Sequence, residues 1–155
     1  MKLYVIIATV IFVIDQVVKH LVRGNLAFGE SVPVIGGLLN LTHITNTGAA
    51  FGIMGNFTWL LVVLSILIIA GVIYIIALRK ITCGWQKWGL AFTLGGALGN
   101  LFDRIVLGSV VDFLDISPLF NFPVFNIADV FIVMGAIILI VTIIFMRKEK
   151  TEDGL

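Results

Sequence analysis

Four long apolar stretches divide the chain, set apart by segments rich in Gly, Pro, Asn and charge. The first begins at Leu3, runs to Ile14 without a charge, and continues past Asp15 and Lys19 to about Val22. The second, Phe57 to Leu78, is uncharged across 22 residues. The third covers about Trp88 to Val106 and is richer in glycine, with "GGALGN" supplying small surfaces for close helix packing. The fourth runs from about Ile127 to Met146 and carries only Asp129. A bilayer core of roughly 30 Å is crossed by about 20 apolar helical residues, so each stretch is a predicted span. Lys2 ahead of the first mimics a secretory signal, but no small-residue cleavage site follows, and a retained span is expected.

The segments between spans differ from one another. Val32 to Ile35 and Leu39 to Ile44 are β-prone and joined at Gly36-Gly37, which predicts a small sheet within an outer-face platform over residues 25–52. Residues 112–128 hold Pro118 and Pro123 and predict a connector or flap instead of a continuous helix. "KITCGWQK" reads as a short polar connector. The predicted fold is an all-α polytopic membrane protein, a single domain over residues 1–155. It has four transmembrane helices and a small extracytoplasmic β platform between helices 1 and 2.

Composition strengthens this picture. Of 155 residues, 60% are hydrophobic and only 12% charged, and the mean hydropathy of +1.16 lies far above that of a soluble domain. The formal charge is +1, without a dense basic patch, so no nucleic-acid partner is expected. An even number of spans puts Lys2, Arg79, Lys80, Lys87, Arg147, Lys148 and Lys150 on one side, with Lys19, Arg23 and Arg104 towards the other. Positive charge favours the cytoplasm, so both termini are expected there. The end of the third span and the start of the fourth then meet at the outer face.

Asp112 and Asp129 lie 17 residues apart at that face. A hairpin through "DISPLFNFPVFN" would bring their carboxylates together. Two close carboxylates resist double ionisation, so one keeps a proton while the other stays charged. Such a pair suits general acid–base hydrolysis without a metal. Aspartates at helix ends are also common: Asp129 near a helix N-terminus is favoured by the dipole, and Asp112 at a surface is simply solvated. The residue pattern alone leaves both readings open.

Other polar residues cluster at the same depth. Asp15 and Lys19, four apart, form a candidate neutralised pair on one helix face. Asn100, Asp103 and Arg104 share one side of the third span, with Arg104 placed to anchor an acidic group or reach phospholipid headgroups. Asn46 sits in "TNTGAAFG", and Asn126 directly before Ile127 is a candidate helix cap or peptide-binding amide. His20 and His43 have no metal-ligand spacing, and the lone Cys83 forms neither an internal disulfide nor a cysteine-based metal site. There is no nucleotide-binding loop and no GxSxG nucleophile motif. No cofactor or metal is expected. A small transporter or channel component, using the intramembrane charges, is the alternative reading.

Five blocks in order carry a resemblance. "DQVVK" (15–19), "NTGAAFG" (46–52), "GGALGNLFDR" (95–104), "VVDF" (110–113) and "FNIAD" (125–129) resemble the motifs of the lipoprotein signal peptidases, or signal peptidase II. The resemblance implies an aspartic endopeptidase of the bacterial cytoplasmic membrane with Asp112 and Asp129 catalytic. Asp15, Lys19, Asn46, Asn100, Asp103, Arg104 and Asn126 match supporting motif positions, while Asp115 is not assigned catalysis. The implied substrates are diacylglyceryl-modified prolipoproteins, cut just before the lipidated cysteine, and globomycin-like cyclic peptides are the implied inhibitors. A monomer in contact with membrane phospholipid is expected.

Overall fold

The computed structural model describes residues 2–48, 58–78, 81 and 83–152, with side chains up to residue 145. All four predicted spans are helices: α1 (Lys2–Asn25), α2 (Thr58–Ala77), α3 (Gly84–Leu107) and α4 (Ile127–Glu152). Each is long and apolar enough to cross a membrane. A helix of 24 residues, such as α1 or α3, is about 36 Å long. The strands are β1 (Ser31–Ile35), β2 (Leu39–Asn46) and β3 (Val110–Asp115). Residues 49–52 of the "NTGAAFG" block, and Phe57, lie outside the described residues.

The helices play unequal parts. Half of the apolar window of α3 is buried, against 11% for α2. So α3 is the central helix, packed on α1, α2 and α4, while most of α2 faces outwards with Trp59, Leu67 and Ile73 exposed. A helix that is apolar all round and largely unpacked is suited to lipid contact. Tyr4, Ala8, Val72, Leu90, Ala91 and Leu94 form the buried apolar cluster that joins α1, α2 and α3.

Glycines permit the tight packing of α3. At Gly99 a Cβ would lie 2.6 Å from Asp15 Oδ2, and at Gly96 it would collide with the carbonyl oxygen of Ala128. Any side chain there would push α1 or α4 away, which explains why small residues occupy this stretch. These contacts also give direction. Along α3, Gly95 meets Ala8 and Ile11, Gly99 meets Asp15, and Asp103 meets Lys19, so α1 and α3 run the same way. Gly96 meets Ala128 and Ile132 while Gly89 meets Leu139, so α4 runs oppositely.

The sheet is larger than the sequence predicts. β1 and β2 form the expected antiparallel hairpin, with Ile35 opposite Leu39 across the turn. Residues 112–115, expected to open the connector, instead belong to β3, which pairs antiparallel with β2 in the order β1-β2-β3. The platform therefore draws one strand from beyond α3 and is not confined to the segment between the first two helices. α3 ends at Gly108, whose left-handed φ of 73° turns the chain into β3. Beyond β3, Leu114 bridges to Phe125, closing the connector at its base. A second difference concerns "GWQK": Gly84 to Lys87 form the first turn of α3, not a connector, with Cys83 at the N-cap making no side-chain cap bond.

The glycine packing sets a test. Gly96→Val should lower the thermal unfolding midpoint of the detergent-solubilised protein, at a cost of about 1–3 kcal/mol from overpacking. Gly71→Ala in α2 has nothing within 4 Å of the added carbon and should leave the midpoint unchanged or raised. Tryptophan fluorescence during heating reads both, and an unchanged midpoint in Gly96→Val would contradict the α3–α4 contact.

Candidate active site

The start of α4 organises the polar centre. Asn126, fully buried, is its N-cap: its Oδ1 accepts the backbone N–H of Asp129 at 2.9 Å, and Asp129 Oδ2 accepts the backbone N–H of Asn126 at 3.2 Å. This is a reciprocal capping box with aspartate at its third position. The N–H of Ala128 is taken by Asp15 Oδ1 on α1, at 2.9 Å. Three of the four N–H groups that a helix start leaves without intrahelical partners are thereby satisfied.

With Asn126 Oδ1 committed to a backbone N–H, its Nδ2 turns to Asp112 Oδ1 on β3, at 2.6 Å. Asp112 Oδ2 accepts Asn46 Nδ2 at 3.0 Å from β2, the strand beside it. Asn100 on α3 is oriented likewise. Its Oδ1 accepts the Lys19 ammonium at 3.1 Å, so its Nδ2 donates to Asp129 Oδ1 at 2.7 Å. Reversing either amide would set N–H against N–H.

Behind these amides lies a buried ion cluster. Lys19, 2% exposed, contacts Asp15 Oδ2 at 2.8 Å and Asp103 Oδ2 at 2.9 Å. The pair expected from spacing is thus a triad, whose third member comes from α3. Gln16 completes it, donating to Asp103 Oδ1 at 3.0 Å, Asp15 Oδ2 at 3.2 Å and the Gly99 carbonyl at 3.3 Å. Sequence reasoning passed over Gln16; its place inside "DQVVK", between two residues that were singled out, was the available signal.

A cavity of about 500 Å³ opens against this network. Asn46, Asn100, Arg104, Asp112 and Asp129 line its polar end, and Phe122, Val130, Val133 and Met134 are among its apolar walls. Arg104 is half-buried. It reaches the carbonyls of Asn100 and Gly48 at 3.4 and 3.5 Å, and its buried Nε has no partner among the described residues. Its side chain, expected either to anchor an acidic group or to reach headgroups, lies on the cavity wall.

The nine residues that match the resemblance's catalytic and supporting positions are therefore brought into one connected set: Asp15, Lys19 and Asn46; Asn100, Asp103 and Arg104; Asp112, Asn126 and Asp129. Asp115 stands apart, away from the cavity wall. Burial raises its pKa, but hydrogen bonds from Ser117, Thr42 and Asn40 outweigh that and hold it below the usual value. It braces β2 to β3. His20 is exposed and His43 Nδ1 lies 2.9 Å from the Leu26 carbonyl. Among the described residues no group of three or more His, Cys, Asp or Glu side chains is arranged to hold a metal ion.

Asp112 is held far from ordinary behaviour. Burial first, and then the neighbouring Asp129 charge, push its pKa up to about 6, against the pull of hydrogen bonds from Asn46 and Asn126. A carboxyl that keeps its proton up to about pH 6, facing the same cavity as a second carboxyl, is equipped for acid–base chemistry.

Comparison with known proteins gives a consistent answer. Residues 7–145 match the family model described as signal peptidase (SPase) II. A lipoprotein signal peptidase of Desulfitobacterium hafniense is 44% identical over 93% of this chain and 95% of its own. One from Brevibacillus brevis is 39% identical over 95% and 98%. A solved bacterial membrane enzyme, determined by the in meso method at 2.3 Å resolution, superposes with a TM-score of 0.91. It is 30% identical, over 97% of this chain and 92% of that one.

Two outcomes follow from the geometry. Asn126→Ala removes the helix cap and should cost about 1–2 kcal/mol, read as a lower unfolding midpoint. The raised pKa of Asp112 means that the folded state binds its proton more tightly than the unfolded chain. The resulting stabilisation is complete below the ordinary aspartate value of 3.8 and disappears as pH rises through about 6. Its size is roughly 3 kcal/mol. Asp112→Asn should remove this dependence, so the midpoint of the unaltered protein should fall relative to the variant between pH 4 and about 7. Parallel curves would contradict the raised pKa.

Proposed function

The chain belongs to the signal peptidase II family and is a membrane protease that removes signal peptides from prolipoproteins; we propose that it does so as an aspartic endopeptidase, with Asp112 and Asp129 as the reacting pair. The observation that carries this reading is the convergence of the two carboxyls on one cavity, linked through Asn126, with one of them shifted towards the protonated state. No comparison supports the transporter reading.

The proposed reaction begins with water between the two carboxyls. Ionised Asp129 takes a proton as the water oxygen attacks the carbonyl carbon before the lipidated cysteine. Protonated Asp112 gives its proton to the carbonyl oxygen, so no uncompensated oxyanion forms in a poorly solvated site. Collapse of the resulting diol breaks the C–N bond. The proton on Asp129 goes to the leaving amine, and a diol hydroxyl returns a proton to Asp112. Both groups end as they began. The products are a signal peptide with a new carboxylate and a lipoprotein with a free lipidated N-terminus.

The apolar cavity wall suits a signal helix that stays in the membrane beside its diacylglyceryl group. In this reading both termini are cytoplasmic and the site lies near the outer face of the bacterial cytoplasmic membrane, following the basic residues at the opposite ends of the helices. The connector, whose Phe120 is 65% exposed and whose Phe122 and Phe125 stack edge to face at 5.7 Å, acts as a flap over bound substrate. Globomycin-like cyclic peptides would compete for the same cavity.

Purified protein in detergent should cleave a diacylglyceryl-modified prolipoprotein before the lipidated cysteine. Folded Asp112→Asn and Asp129→Asn variants should each lose about 10³-fold or more in kcat. In water carrying oxygen-18, label should enter the released signal peptide's carboxylate. A peptide–enzyme ester trapped during turnover would exclude direct attack by water, and cleavage that survives either substitution would exclude the pair. The alkaline limb of kcat/KM should lie near pH 6, where Asp112 loses its proton. The corresponding limb of kcat should lie higher, because bound substrate removes further water from the carboxyl.

A further inference from the structure

The residue immediately before each reacting aspartate is anchored to the same ion cluster. Ala128, preceding Asp129, donates its N–H to Asp15 Oδ1 at 2.9 Å. Val111, preceding Asp112, donates its N–H to Asp103 Oδ2 at 3.3 Å. Lys19 bridges these two carboxylates at 2.8 and 2.9 Å and spends a further donor on Asn100 Oδ1. Asn100 in turn donates to Asp129. One cation thus joins the segments that carry both reacting groups and lies two hydrogen bonds from one of them.

The three donors of a buried ammonium need three acceptors. That demand does not by itself select an amide turned to the active carboxyl, or two carboxylates that each hold the backbone next to a reacting residue. We propose that Lys19 is a positioning residue for the reaction, fixing through Asp15 and Asp103 the spacing of β3 and α4, and holding through Asn100 the pair's negative charge on Asp129. This rests on the aspartic reading above.

The charged groups facing the pair come from every surrounding element. α1 gives Asp15 and Lys19, α3 gives Asp103 and Arg104, and Asp112 and Asp129 are themselves on β3 and α4. The ionised cluster of Asp15, Asp103 and Lys19 carries one net negative charge, and losing the lysine makes it two. The proton on Asp112 is then held more tightly, which agrees in sign with the lowering influence of Lys19 on this carboxyl. Gln16 offers a second handle. It is half-buried and its Nε2 donates to Asp15 and Asp103, so a carboxylate there adds negative charge beside them at the cost of those two hydrogen bonds.

The test measures kcat/KM against pH for cleavage of a diacylglyceryl-modified prolipoprotein in detergent micelles. Lys19→Met should reduce kcat and move the alkaline limb up by about one unit. Lys19→Arg keeps the charge but changes the geometry, so kcat should fall while the limb stays at its original pH. Gln16→Glu should move the limb upward as Lys19→Met does, and it decides the matter if Lys19→Met does not fold. Folded Lys19→Met or Gln16→Glu protein that loses rate with its limb unmoved would overturn the proposal. Asp112→Asn and Asp129→Asn are measured alongside. If both lose activity while the limbs stay fixed, only the role of Lys19 fails; if either retains activity, the aspartic reading itself fails.

Discussion

A lysine ammonium buried within a bundle of apolar helices must be neutralised and hydrogen-bonded, and the arrangement around Lys19 follows from that demand. An unpaired buried charge costs several kcal/mol, more than any single packing contact returns. Asp15 on the same helix supplies one counter-charge by its spacing of four. Asp103 supplies the second only if α3 lies close against α1. The glycines of α3 allow that approach, and Gly99 sits directly against the Asp15 carboxylate. Small residues and buried charges, which look like separate features along the chain, are two sides of one constraint: the helices must be near enough for the carboxylates to reach the cation.

The same cluster explains why the sheet and the helices act as one body. Each carboxylate has a second oxygen or lone pair left after binding Lys19, and these accept backbone N–H groups from α4 and β3. Backbone donors at a helix start and a strand need partners in any case. The polar centre meets its own needs and those of the surrounding backbone with one set of bonds. It leaves Asp112 to be oriented by the side-chain amides of Asn46 and Asn126, and Asp129 by that of Asn100 and by the backbone N–H of Asn126. Neutral amides fix direction without adding charge, so Asp112 stays under the influence of burial and of Asp129, which raise its pKa.

How much of this was legible depended on the range of the determining interaction. The four helices were, because each is a continuous apolar run whose length alone decides its state. Asn126 as a helix cap was also readable, since an Asn before an apolar run with an acid three residues on is a local signature. β3 was not. "VVDFLD" is short, and its strand character comes from pairing with β2, in which Ile44 lies opposite Asp112. The first turn of α3 was missed because Cys83 gives no capping signal and "GWQK" is polar. The spacing of Asp15 and Lys19 foretold a pair, but nothing local identifies Asp103 as the third member. Gln16 was overlooked because a glutamine among aliphatic residues has no distinctive pattern until its three acceptors are in place.

The cavity brings these strands together as a problem of two solvents. On the proposed reading, its polar end needs water for hydrolysis and a carboxyl that keeps a proton, while its apolar walls suit segments that remain in lipid. A site open to bulk water would lose the elevated pKa of Asp112, since desolvation is its largest cause. A fully dry site would lack the nucleophile. The position of Asp112 reconciles the two: it lies on a strand beyond the end of α3, is 2% exposed, and faces a cavity that Arg104 and the amides keep polar at one end. One carboxyl at the cavity, Asp129, comes from the start of a membrane-length helix, and the other, Asp112, from a strand. The third strand, least expected from the sequence, is therefore the element that brings Asp112 to the cavity that Asp129 also lines.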